Sequence, residues 1–230
     1  MHHPIEPPLN TNTKDNRGFE HTVTGYLLCP IDYDWSDVSV RKNIRERHPD
    51  FLVTADAWPA FLYPTPGQHL LEDPSRGLLR LQLLLKAFKM IFTSPSSARG
   101  DENCAPAIYL DRSHSRGEKS TRSHVASLMG MRTVTPRAIA YAAVQLRFAL
   151  SNVSSWRQFD EDFDLEEFYK NILDWFEGPA TENHQKDISE LLLWWDGKIF
   201  GRNRHIVIPR EIRKNMSVAR SLAHRTGMRV

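Results

Sequence analysis

The positions of prolines and apolar side chains divide this chain into two unlike parts. Nine of the fourteen prolines lie at or before Pro74, and proline interrupts helices because it lacks a backbone donor and clashes with the preceding turn. After Pro74, apolar residues recur every three or four positions, the spacing of one helix face. The sequence therefore predicts an all-α fold, an irregular bundle of about five core helices behind an extended, proline-rich N-terminal third.

Capping residues and helix stops place the individual helices. We expect a helix over Pro74–Phe92 with Asp73 as its N-cap and Pro74 in the first turn. A second helix over Pro136–Leu150, behind Thr135, carries alanines on its apolar face and is expected to be the most buried. Further helices are predicted from Ser36 to Arg47, around Val125 to Gly130, from Asp162 or Asp164 to Gly178, from Thr181 to Gly201, and within 209–224, while only Ile206–Ile208 has the composition of a strand.

Length and composition favour one domain with tails. A chain of 230 residues is of single-domain size. We divide it into a flexible arm over 1–24, one helical domain over 25–201 with a long polar loop at about 95–119, and a basic tail over 202–230. An apolar fraction of 40% and a charged fraction of 25% exclude a wholly disordered or collagen-like chain.

The sequence also restricts the compartment. The longest apolar run, 138–144, is far shorter than the ~20 residues of a bilayer span, and the N-terminus lacks the features of a signal peptide. The two cysteines, Cys29 and Cys104, have no metal-ligand spacing and are interpreted as reduced thiols. We expect a soluble intracellular protein, cytoplasmic or nuclear, that is neither secreted nor membrane-spanning.

Charge is segregated near the C-terminus. Residues 157–190 hold eleven acids and three bases, a net −8, whereas residues 201–230 hold eight bases and one acid, a net +7. The basic segment binds nucleic acid, folds back on the acidic block, or is ordinary solvated surface; the sequence leaves all three open. The candidate nucleic-acid contacts are Arg202, Arg204, Arg210, Arg213, Lys214, Arg220 and Arg225.

No motif with established chemistry fits the chain. His48-Pro49-Asp50 is similar to the tripeptide of J-domain cochaperones and to the first two ligands of an iron triad. The first helix of a J domain and the strands of an iron oxygenase are both missing, which favours a helix-stop turn. The acidic run 160–167 lacks the glycine and ligand alternation of a calcium loop and is interpreted as a helix start. We predict no metal and no cofactor.

Five stretches together resemble one family: Val23–Pro30, His48–Ala55, Phe92–Ala98, Thr133–Phe148 and Trp194–Arg202. This family is an expanded group of uncharacterised proteins in mushroom-forming basidiomycete fungi, catalogued as a domain of unknown function. The resemblance covers about residues 22–202, and 133–148 and 194–202 are its most specific parts. It implies no activity, cofactor or catalytic residue.

These observations favour a non-enzymatic helical interaction module, with a protein partner or a second copy of the chain and no membrane partner. A nucleic-acid-associated protein that uses the basic tail is the first alternative. An enzyme of unrecognised class is the second, and a mobile-element relic without a biochemical role is a third. The enzyme hypothesis requires a pocket in which titratable groups converge near the alanine-rich helix, the candidates being His124, Arg137, Tyr141 and Arg147.

Overall fold

A computed structural model describes residues 8–10, 12–64, 72–95, 98, 125–201 and 216–218. Seven α-helices and one two-stranded hairpin can be followed within these ranges, which confirms the all-α class. The helices are α1 (Thr22–Leu28), α2 (Val38–Arg45), α3 (Gln82–Phe92), α4 (Val125–Leu128), α5 (Pro136–Leu150), α6 (Leu165–Glu177) and α7 (Glu182–Phe200), and the strands are β1 (Phe159–Asp160) and β2 (Phe163–Asp164).

Helix α5 forms the centre of the core. Thr135 caps it by accepting the backbone N–H of Ala138 at 3.3 Å, and Pro136 occupies the first turn, as predicted. Nine of its fifteen residues are buried, four of them alanines. Because small side chains let neighbouring backbones approach closely, α5 packs against both α3 and α6.

Helix α3 begins at Gln82, and the predicted start at Pro74 is wrong. Asp73 instead accepts the Ser75 N–H at 3.2 Å within a turn. Gly77 and Leu79 have φ angles of 80° and 61°, which lie outside the range of a right-handed helix. The turn still delivers Leu79 to the core, where its carbonyl accepts a hydrogen bond from Trp195 Nε1 at 3.1 Å.

Helices α2, α4, α6 and α7 match their predictions with small shifts, whereas no helix is predicted over the residues of α1. Helix α2 takes Asp37 rather than Ser36 as its N-cap. Asp164 caps α6 and Thr181 caps α7, which ends at Gly201 with a φ of 71°. The predicted polar loop at 95–119, apart from residues 95 and 98, lies outside the described residues. The Ile206–Ile208 strand also lies outside them, as does the basic helix except for 216–218.

The N-terminal segment is attached to the C-terminal end of α5. Lys14 Nζ donates to the Phe148 carbonyl at 2.6 Å and lies 3.2 Å from the centroid of the Phe148 ring. Arg17 donates to the Ala149 carbonyl at 2.7 Å. These contacts belong to the part of the chain predicted to be a flexible arm, so the described part of that arm has defined partners. The division into arm, domain and tail stays a prediction.

Two sets of local contacts order the N-terminal third. In α1, Gly25 lies directly against the Trp35 ring, whose Nε1 donates to the Thr22 carbonyl at 3.1 Å. His48 caps a single 3₁₀ turn by accepting the Asp50 N–H at 3.3 Å, so His48-Pro49-Asp50 is a turn after α2.

None of the helices in the described ranges has the length and apolar character to cross a bilayer.

Candidate functional site: the Arg147 pocket

A charged side chain lies on the buried face of α5. Arg147 follows Ala143 by one helical turn and precedes Leu150 by another, so it belongs to the apolar stripe of the helix. The residue is 2% exposed. The carbon at the centre of its guanidinium group lies 3.3 Å from the centroid of the Phe163 ring, a cation–π contact that partly replaces lost hydration.

The hydrogen bonds of Arg147 are incomplete. Its Nη2 lies 3.5 Å from Asp160 Oδ2, while Nε and Nη1 are buried without a hydrogen-bond partner. Burial lowers the pKa of Arg147 to about 10, and the nearby Asp160 and Glu161 charges oppose that change. Arg147 therefore stays charged at neutral pH, and part of its donor capacity is unused.

The carboxylate that faces Arg147 comes from the hairpin of β1 and β2. The strands pair antiparallel, Asp160 opposite Phe163, and a two-residue turn joins them. Glu161 in that turn has a φ of 58° and forms an ion pair with Arg47, whose own φ is 55°. Non-glycine residues in this left-handed region are strained by about 1 kcal/mol or more, so the ion pair joins two strained positions.

A cavity of about 80 Å³ adjoins these groups. With a molecule of liquid water occupying about 30 Å³, this is room for two or three waters or for one small ionic group. Three arginines and four carboxylates line it, together with apolar and small residues: Arg45, Arg47, Arg147, Glu20, Asp160, Glu161, Asp162, Gly18, Phe19, Leu28, Ile44, Phe51, Leu52, Val53, Ser151 and Asn152. We call this site the Arg147 pocket.

A second cavity, of about 300 Å³, differs in character. It is lined by charged side chains that face solvent, among them Arg76, Asp187 and Glu190. Trp175 on its wall donates to the Ser75 hydroxyl at 3.3 Å. None of its lining residues carries a buried polar atom without a partner, so the Arg147 pocket is the stronger candidate.

The structure separates the residues of the enzyme hypothesis. Arg137 is exposed and lies 3.7 Å from Glu177, and Tyr141 is 46% exposed with its ring against Phe92. Arg147 is ten residues from Arg137 on the same helix, about 15 Å along the axis. His124 lies outside the described residues. The described members of the set do not converge.

The other predicted site lies beyond the described part of the chain. All seven candidate nucleic-acid contacts, Arg202 through Arg225, fall outside it. The acidic residues 160–162, by contrast, are described. No three His, Cys, Asp or Glu side chains are placed to hold a metal ion in the ranges that the structure covers.

Sequence reasoning missed the pairing of Arg147 with the acidic hairpin. One signal was present: an arginine spaced with Ala143 and Leu150 interrupts an otherwise apolar helix face. The partner carries no such signal, because the acidic run 160–167 indicates only a helix start. Asp164 does cap that helix, accepting the Glu166 N–H at 2.8 Å, but Asp160 points to Arg147.

Comparison with known proteins gives a family and no activity. No curated protein matches the chain, and no solved structure matches it. The model of a family of unknown function, DUF6698, matches residues 1–200. That match takes in α1 through α7 and every residue that lines the Arg147 pocket. Since it covers well over half of the sequence, the chain belongs to the family of unknown function DUF6698.

Proposed function

We propose that this protein is a non-enzymatic helical module that binds a partner protein, and that the Arg147 pocket accepts an acidic group of that partner. The observation that carries the proposal is the buried guanidinium with two nitrogens lacking acceptors. Buried donors of this kind cost about 1–3 kcal/mol each, and a bound acceptor removes that cost.

The lining of the pocket supports binding rather than catalysis. It contains arginines, carboxylates, one serine and one asparagine, with neither histidine nor cysteine among the lining residues. Arginine recognises carboxylates through paired, charge-assisted hydrogen bonds. Residues from both halves of the chain meet here, and Leu52 beside the pocket is 44% exposed, which adds an apolar contact for a partner segment.

Selection of peptides on the immobilised full-length chain tests the proposal. We expect enrichment of peptides that carry Asp or Glu next to apolar residues. Their affinity should fall at least tenfold for Arg147→Met, a loss of about 1.4 kcal/mol. Fluorescence anisotropy with labelled copies of the selected peptides measures this change.

Arg137→Met is the matched control, because Arg137 lies on the same helix but is exposed and paired with Glu177. Its peptide affinities should change less than twofold. Selection without acidic enrichment, or equal losses in the two variants, contradicts the proposal. Circular dichroism of each variant confirms that the helices are retained.

Nucleic-acid association is the second candidate, supported by the net +7 of residues 201–230. If about six cations neutralise phosphates, log K should fall with log[salt] at a slope near −5. Filter binding to duplex DNA and to RNA at several salt concentrations measures the slope. A flat response, or equal binding after deletion of 202–230, removes this candidate. Fungal origin and an intracellular location also stay predictions.

A further inference from the structure

Access to the Arg147 nitrogens is closed by the protein itself. Nε and Nη1 are out of contact with solvent, and the Asp160 carboxylate, 15% exposed, forms an ion pair with Nη2 at 3.5 Å. A carboxylate that bonds the guanidinium through two of its nitrogens uses Nη2 in either orientation, so it competes with Asp160. The Asp160 carboxylate occupies the position that an external acidic group would take.

The hairpin that carries Asp160 is short, and one ion pair holds its turn. Each strand has two residues, and an isolated two-stranded hairpin is marginally stable. Its turn is held by the ion pair between Arg47 and Glu161, two residues with strained backbones. Phe163, by contrast, is 1% exposed and belongs to the core. Release of Asp160 therefore requires a change at 160–162 only, while Phe163 stays in the core.

The charges of the pocket select the ligand. Four carboxylates and three arginines line the cavity, a net charge of about −1 with all groups ionised. A phosphate group of charge near −2 adds repulsion from Glu20, Glu161 and Asp162. A carboxylate of charge −1 that takes the place of Asp160 at the guanidinium adds about half of that repulsion.

We propose that Asp160 is an internal competitor for the Arg147 pocket and that the ligand is a single carboxylate, supplied by an Asp, a Glu or the C-terminus of a partner chain, which displaces Asp160 and bonds Arg147. This inference rests on the proposed function for the origin of the carboxylate. The exchange is non-covalent: the ion pair between Nη2 and Asp160 separates, and hydrogen bonds from the guanidinium to the entering carboxylate form.

Nuclear magnetic resonance on the full-length protein tests the exchange directly. The probe is sodium acetate, titrated against sodium chloride at constant ionic strength, and the reporter is the Nε–H resonance of Arg147, assigned by its loss in Arg147→Met. For Asp160→Asn, we expect a saturable shift with a dissociation constant in the millimolar range. For the wild-type chain, about tenfold more acetate should be needed, since Asp160 competes for the same site.

Asp187→Asn is the control, because it removes an exposed carboxylate of α7 that does not line the Arg147 pocket; it should need the same acetate concentration as wild type within twofold. A resonance that ignores acetate in both the wild type and Asp160→Asn overturns the inference, as does a shift that chloride reproduces. Tighter binding of inorganic phosphate than of acetate overturns the ligand class. If Asp160→Asn does not fold, Asp160→Ala takes its place with the same expected result and the same refuting outcome.

The outcomes separate this inference from the proposed function. Acetate binding at Arg147 without acidic peptide enrichment leaves the carboxylate site standing and removes the protein partner. Acidic peptides whose affinity depends on Arg147 but not on Asp160 support the proposed function and refute the internal competitor.

Discussion

Replacing Arg147 by methionine is expected to preserve or raise stability, although the side chain is buried and charged. In the wild type, Arg147 has one ion pair at 3.5 Å and two nitrogens without partners. Methionine is flexible, of comparable length and without polar hydrogens. The companion change, Asp160→Asn, keeps the arginine and removes the charge that faces it.

The magnitudes follow from the contacts. The two unpartnered nitrogens cost about 1–3 kcal/mol each, whereas the contact with Phe163 returns about 2 kcal/mol. Replacing a buried ion pair by apolar groups is neutral or stabilises by about 1–4 kcal/mol. For Arg147→Met we expect stability to rise by only about 0–1 kcal/mol, because Asp160 loses its partner and this offsets most of the gain. For the double variant, in which neither charge remains, we expect stability to rise by about 1–3 kcal/mol. Asp160→Asn alone should lose about 2 kcal/mol.

Urea unfolding followed by circular dichroism gives these free energies, provided that the dependence on urea stays constant among the variants. A loss of more than about 3 kcal/mol for Arg147→Met, with no loss for Asp160→Asn, refutes the reasoning. In that case Arg147 would be a structural anchor, and the argument from its unpartnered nitrogens to a binding site would fail.

Three further predictions concern the fold. Gly25→Ala places a Cβ that overlaps Cζ2 of Trp35 and lies 2.7 Å from its Cη2, so it should destabilise the fold by about 1–3 kcal/mol. Gly197→Ala has open space around the new Cβ inside α7 and should stabilise the fold by about 0.5–1 kcal/mol. Equal effects of the two changes in urea unfolding contradict this prediction. Burial raises the pKa of the Cys29 thiol from 9.0 to about 12. The thiol therefore loses its proton at a lower pH in the unfolded chain than in the folded chain, and stability should fall as pH rises above 9. Cys29→Ala should flatten the decline, and an unchanged slope between pH 9 and 11 argues against it. Asp196→Ala removes the acceptor of the Val134 N–H, 2.6 Å away, and should cost about 2 kcal/mol in the same assay; a loss below about 0.5 kcal/mol contradicts that role.

The helices were predictable where local signals were strong. Thr135 with Pro136 fixes the start of α5, and Asp164 and Thr181 fix the starts of α6 and α7, because a capping side chain satisfies backbone N–H groups close in sequence. The same logic fails at Asp73, although Asp73 followed by Pro74 is the same kind of signal as Thr135 followed by Pro136. Leu79 adopts a left-handed conformation to reach the core, so a tertiary contact decided the local backbone.

The candidate site was less predictable, for a physical reason. The contact of Arg147 with Asp160 joins α5 to a hairpin whose strands have two residues each, too short to give an alternating pattern. An arginine on an apolar stripe indicates that some partner exists, but its identity depends on how the chain returns after α5. The sequence pointed to Arg147 and not to the group that faces it.

The anchoring of Lys14 and Arg17 to the end of α5 bears on the order in which the chain assembles. Their acceptors lie more than 130 residues further along the chain. During synthesis, these two side chains therefore cannot form their hydrogen bonds until α5 has been made and has left the ribosome. Long-range contacts of this kind form late and slowly. The segment with Lys14 and Arg17 leaves the ribosome well before α5 and is nevertheless among the last described parts of the chain to reach its final contacts.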